Sequence, residues 1–398
     1  MITPAVRTRV ADLDSAELPA YIHDTTHLRA HAASVRAALP ARVELYYAAK
    51  ANPAPEILTA LAGDVNGYEV SSGGELAHVR AHLPTMPVAF GGPGKTVDEL
   101  TAALHLDVGR FHVESPYEAR RLVALAARTR PDHDVDVLLR VNLPLGPDVL
   151  RGAALTMGGD PGPFGMDPDD VESCLRALRG PDAGRVRVRG IHAHLASGLD
   201  ADRRLALAEG VLAWARDIAD RHGITRPEVN IGGGMAVDYT NPTARFDWAR
   251  FGAGLDRLVA DRPDLIVRIE PGRALTAYSG WYATEVVDLK HSRGRAFAVL
   301  RGGTHHLRTP AAKGHDQPCV IVPTTSPWPH SWPRPEIHHT QVTLTGQLCT
   351  PKDVFARDRA ITELRVGDRI AFALAGAYAW NISHHDFLMH PHPTFHYL

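Results

Sequence analysis

Among 398 residues lysine occurs only five times (Lys50, Lys95, Lys290, Lys313 and Lys352), whereas arginine occupies 38 positions. Either side chain can carry surface charge. Only an amine can attack a carbonyl carbon, because a guanidinium stays protonated. Lys50 raises the sharpest question: it closes the apolar run "VELYYAAK", and Ala-Asn-Pro then breaks the strand. An ammonium at the inner end of a buried strand is costly unless something uses it. Similar apolar runs end in other reactive or binding types. "VRGIHAHLAS" ends in His192, His194 and Ser197, "PEVNIGGG" in Gly232, Gly233 and Gly234, and "LIVRIEPGR" in Glu270 and Arg273.

The elements behind these residues repeat. Eight short apolar or β-branched runs lie between residues 41 and 275, separated by amphipathic stretches such as "SPYEARRLVALAART" and "RRLALAEGVLAWARDIADRHG". Strands alternating with helices imply parallel pairing, and eight units over this span predict a (β/α)8 TIM barrel across residues 26–275. An open doubly wound sheet fits the same spacing. Beyond residue 275 the runs alternate ("YATEVVDLKHS", "TQVTLTGQL") and Pro- and Gly-rich turns divide them. That texture predicts an antiparallel β domain over residues 276–398, into which residues 1–25 are expected to pair.

A barrel places its active face at the strand C-terminal ends, with anion sites favoured after the seventh and eighth strands. Lys50 closes the first strand, the glycines the seventh, and Glu270 the eighth. A lysine able to form a Schiff base, a glycine loop whose N–H groups can approach a phosphate, and a carboxylate on one rim together suit pyridoxal phosphate. The carboxylate would keep the pyridine nitrogen protonated. The glycines alone read equally as a tight turn, and they lack the third glycine of a dinucleotide fingerprint. "GGPGKT" is no phosphate-binding loop, since Ala89 stands where its first glycine should be. Of His192 and His194, only one is expected to face the barrel, with His192 structural.

The motifs "YYAAKANP", "HAHLAS", "IGGG", "EPGR", "GQLCTPKD" and "GAY", in this order, resemble the fold-type III pyridoxal-phosphate decarboxylases. These are the diaminopimelate, ornithine and arginine decarboxylases, with an alanine racemase-like barrel and a β domain. Within them, "AFGGPGKT", "RGGTHHLRTP" and the tail "NISHHDFLMHPHPTFHYL" are similar to the siderophore-forming branch of staphyloferrin B type. The resemblance implies that Lys50 anchors the cofactor and that His194 stacks on its ring. It also implies Glu270 at the ring nitrogen, and Ser197, Gly232 to Gly234, Arg273 and Tyr378 around the phosphate. Cys349 would donate a proton from the partner subunit of a head-to-tail homodimer. Two departures matter: "HLAS" has Ala196 where the family has glycine, and Thr350 follows Cys349 where diaminopimelate enzymes carry Glu and ornithine enzymes Asp. Arg308, with His305 and His306, would then suit a citrate-derived polycarboxylate, and Thr350 and Asp353 complete the expected substrate contacts. The implied activity is decarboxylation of an L-amino acid such as citryl-diaminopropionate, with diaminopimelate, ornithine or lysine as the alternative; a non-catalytic pyridoxal-phosphate-binding barrel is the other reading, against which the β domain of residues 276–398 argues.

The net charge of −2 gives no basic footprint for nucleic acid. No apolar window reaches a membrane span, and the first residues lack the apolar core of a secretory signal. Three scattered cysteines build no disulfide framework. A cytoplasmic enzyme is expected. The tail histidines (His384, His385, His390, His392, His396) match no metal-ligand spacing, so no metal is expected.

Overall fold

The computed structural model describes residues 2–144 and 153–398. Two compact units divide the chain: Arg29–Val237 with Arg245–Leu275, and Met1–Leu28 with Asp238–Ala244 and Thr276–Leu398. Strand β1 (Ala20–His23) belongs to the second unit.

The first unit is a closed parallel barrel. Its strands are β2 (Val43–Ala48), β3 (Gly67–Val70), β4 (Val88–Phe90), β5 (Arg110–Val113) and β6 (Val135–Arg140), followed after a short β7 (Leu155–Thr156) by β8 (Val186–His192). A short β9 (Ala196–Ser197) pairs with β7, and β10 (Glu228–Asn230) and β11 (Ile266–Ile269) close the circle against β2. The barrel is closed, so the open-sheet alternative is excluded. Helices begin where the sequence supplies caps: Ser72 accepts from Glu75 N, Thr96 forms a capping box with Glu99, and Ser115 accepts from Glu118 N.

The floor of the barrel is charged. Glu228, the first residue of β10, accepts from Arg110 Nε at 2.7 Å, and Arg268 Nη2 lies 3.1 Å from it. Arg268 Nε also reaches Glu44 at 2.9 Å. The ions are paired and hydrogen-bonded, as burial demands.

The second unit is a sheet of the order β14-β17-β12-β13-β15-β16. Its strands are β12 (Gly280–Ser292), β13 (Arg295–Leu300), β14 (Cys319–Val322), β15 (Glu336–Thr345), β16 (Val354–Arg365) and β17 (Arg369–Phe372). β1 pairs antiparallel with β12, and β18 (Thr394–Tyr397) adds parallel to β1. β13 and β15 are also parallel, so the sheet is mixed rather than wholly antiparallel. Residues 301–335 make the long return that a parallel pair requires. Tyr282, Val286, Leu344, Phe355 and Phe372 form its core.

Candidate active site

Lys50 sits just past β2 on a single 3-10 turn. Tyr47 OH donates to Asn52 O at 3.1 Å and Asn52 Oδ1 accepts from Ala54 N, so the Ala-Asn-Pro break is held by its own polar groups. Lys50 Nζ lies 2.7 Å from Glu69 Oε2 and 3.4 Å from Ser71 Oγ, both at the end of β3. Its side chain keeps 43% of its surface exposed while Glu69 keeps 7%, an arrangement that offers the amine to a ligand over a fixed carboxylate. Lys95 is the contrast. It is buried, bonded to Gly92 O and His112 O, and paired with Glu118 at 2.7 Å, a structural amine.

On the other side of β2 from Glu69, Asn230 Nδ2 at the end of β10 donates to Glu270 Oε1, just past β11, at 2.6 Å. His192 Nε2 lies 3.4 Å from the other oxygen, and His112 Nε2 lies 3.9 Å from Oε1. The two imidazoles are stacked with centroids 4.1 Å apart. Burial holds both well below the usual histidine range, so they are neutral, and neither ring nitrogen of either has a hydrogen-bond partner among the described residues. His194 Nδ1 accepts from Gly233 N at 3.1 Å, which places its proton on Nε2. Desolvation, then the nearby Lys50 charge, keep it neutral as well. The expectation that only one of His192 and His194 faces inward is corrected: residues two apart in extended chain share a face, and both line the site.

The glycines are required by packing. A Cβ at Gly232 would lie 2.4 Å from His194 Nδ1, one at Gly233 2.4 Å from Glu270 O, and one at Gly234 2.2 Å from Ala196 O. Gly232 and Gly234 also have φ of +70° and +91°. Three strand ends therefore converge on this loop, with Ser197 on β9 beside it. Arg273 opens a short helix three residues beyond Glu270. Gly232 N is engaged by Asn230 Oδ1 at 2.9 Å and Gly233 N by His194, so two of the three expected phosphate donors already have partners.

Within the second unit, Cys349 is an exposed free thiol and Arg308 is exposed, its N–H bonded to Ser383 Oγ at 3.1 Å. Thr350 is half-buried, its carbonyl accepting from Asp353 N. Tyr378 is half-buried at φ +48°, and its carbonyl accepts from Thr309 Oγ1. Asp353 is not open to substrate: its oxygens accept from Thr304 N at 2.7 Å and Leu348 N at 2.8 Å, and it is 2% exposed. It clamps two loops. His305 and His306 are fully buried, and desolvation lowers them to about 4 and about 3, so they back the surface rather than form it. The tail gathers more than its spacing suggested. Asp386 Oδ1 lies 3.2 Å from His392 Nε2 and 3.6 Å from His385 Nδ1.

Glu69, His112, Asn230 and Ser71 were missed by the sequence reading. Glu69 and His112 did carry a signal, each being a polar residue inside an apolar barrel strand.

Residues 25–277 match the family model "Pyridoxal-dependent decarboxylase, pyridoxal binding domain". The chain is 39% identical over 381 residues to the 2-[(L-alanin-3-ylcarbamoyl)methyl]-2-hydroxybutanedioate decarboxylase of Staphylococcus aureus, covering 95% of this chain and 93% of that protein. It is 31% identical over 371 residues to the diaminopimelate decarboxylase of Actinosynnema pretiosum, covering 90% and 79%. The diaminopimelate decarboxylase structure from M. jannaschi shares the fold, with a TM-score of 0.82 at 22% identity over 95% of this chain and 86% of that one. An amine over a carboxylate, neutral imidazoles with unpartnered nitrogens and a glycine loop fit pyridoxal 5'-phosphate. The chain belongs to the pyridoxal-dependent decarboxylases.

Proposed function

We propose that this decarboxylase acts on citryl-diaminopropionate, removing the carboxylate of its amino acid end to leave citryl-ethylenediamine, a siderophore precursor of staphyloferrin B type. The observation that carries the substrate assignment is the loop around Cys349. Thr350 follows the thiol, and Asp353, the acidic side chain of that loop, is consumed by backbone N–H groups. The loop therefore presents no carboxylate to a distal ammonium, as diaminopimelate, ornithine or lysine would need. Arg308 instead offers an exposed guanidinium suited to carboxylates. The Staphylococcus relative's substrate name describes this pairing, an amino acid at one end and a hydroxybutanedioate at the other.

When bound, pyridoxal 5'-phosphate supplies an aldehyde for the amine and an electron-poor ring that accepts the electron pair left by departing CO2. Lys50 would be the covalent anchor, its amine oriented by Glu69. Glu270, fixed by Asn230, would keep a proton at the ring nitrogen. His194 would meet the ring as a neutral imidazole. Ser197, the loop Gly232 to Gly234, Arg273 and Tyr378 would hold the phosphate, and Cys349 of a partner copy in a cytoplasmic head-to-tail homodimer would return a proton to the α-carbon.

The test is CO2 release from citryl-diaminopropionate, diaminopimelate, ornithine and lysine, measured side by side. The citryl compound should lead in kcat/KM by at least ~100-fold, the discrimination expected when a site's charged group meets or lacks its partner. Turnover of diaminopimelate equal to or better than the citryl compound would refute the assignment.

A further inference from the structure

Among the described residues, the fully buried Arg204 of the barrel pairs with no anion. Arg204 lies in the first turn of the helix Ala201–His222, is 0% exposed, and heads the largest fully buried side chains. Its Nη2 donates to Ile231 O at 2.9 Å, but Nε and Nη1 have no hydrogen-bond partner, and no carboxylate pairs with it among the described residues. Burial alone depresses its guanidinium to about 10, which still leaves it charged at neutral pH. A buried guanidinium costs more than one bond to a neutral carbonyl returns. A neutral side chain would fill the space at lower cost, so the charge calls for an anion.

The position says which anion. Ile231 directly precedes Gly232, and the field of Arg204 is felt at His194, the residue packed against that glycine. Two N–H groups of the loop are already engaged, so the cradle is short of positive character from its own backbone. We infer that Arg204 is the buried counter-charge of the cofactor phosphate, a positioning residue that acts across the glycine loop through Ile231. This rests on the reading of Gly232 to Gly234 as the phosphate cradle. Arg204 then favours the dianionic phosphate without occupying space in the cradle, and its own burial cost is offset only when phosphate is present.

The experiment compares pyridoxal 5'-phosphate with pyridoxal, which lacks the phosphate, by titrating each into apoenzyme and following the absorbance of the Lys50-bound chromophore. Arg204→Gln keeps an amide donor for Ile231 O but removes the charge. It should weaken pyridoxal phosphate by about 10- to 100-fold, the range of a partly screened charge pair acting through space, and leave pyridoxal unchanged. Arg204→Lys should restore most of the preference. Equal weakening of both ligands would make Arg204 structural, and no weakening would remove it from the cradle; either overturns the inference. A wild-type chain that binds neither ligand at Lys50 would instead defeat the cofactor reading. Should the Gln variant not fold, inorganic phosphate decides on the wild-type apoenzyme. It should raise the thermal midpoint and compete with pyridoxal phosphate but not with pyridoxal, and failure to do so overturns the inference.

Discussion

The same residue type does opposite work at Lys50 and Lys95, and only surroundings separate them. Lys95 has three oxygen partners and is buried; Lys50 has a carboxylate behind it and space in front. Environment also sets how histidines respond to acid. His23 is buried on β1 between Tyr21 and Tyr397, and desolvation lowers it from 6.5 to about 4. The unfolded chain therefore takes up a proton that the folded chain refuses. The stability from keeping this ring neutral is complete above pH 6.5 and is lost as pH falls from 6.5 toward 4. The expected loss is on the order of 3 kcal/mol over that window. His23→Phe keeps the stacking and removes the titration, so its urea midpoint should fall less steeply between pH 6.5 and 4 than that of the parent. Parallel curves would assign the acid sensitivity to other groups.

At the scale of elements, the polar residues of the barrel gather toward the two ends of its strands, and the two ends differ in purpose. The upper ends hold Lys50, His192, Asn230 and Glu270, while the lower ends hold Glu44, Arg110, Glu228 and Arg268 in mutual ion pairs. Burial would raise the Glu228 carboxyl, yet Arg110 and Arg268 outweigh it and hold it below the usual range. Glu228→Gln leaves both arginines facing a neutral group inside the barrel. It should cost about 3 kcal/mol in equilibrium urea unfolding, with cofactor affinity little changed. A loss under about 1 kcal/mol would place the floor with screened surface pairs.

For the whole molecule, the decisive question is whether one catalytic centre draws on two copies of the chain. Lys50→Ala and Cys349→Ala each remove a proposed catalytic group, and each homodimer should be nearly inactive. Mixed under subunit exchange, half of the dimers become heterodimers with one intact centre, so activity should recover to roughly a quarter of the parent. No recovery despite demonstrated exchange would place Lys50 and Cys349 in one copy. Among the described residues no helix is long and apolar enough to cross a membrane.

The alternation of runs and amphipathic stretches, the lysine at a strand end and the glycine triplet were all legible in the sequence, because hydrophobic period and backbone freedom are local properties. Closure of the barrel, the stack of His112 on His192 beneath Glu270, and the meeting of Lys50 with Glu69 were not, because they depend on register between strands far apart in the chain. Asp353 read as a substrate contact and is a loop clamp, its carboxylate taken up by Thr304 N and Leu348 N. Arg204 looked like one more arginine on a helix among many. What a charge does is fixed by the dielectric and the partners around it, and only the folded chain sets those.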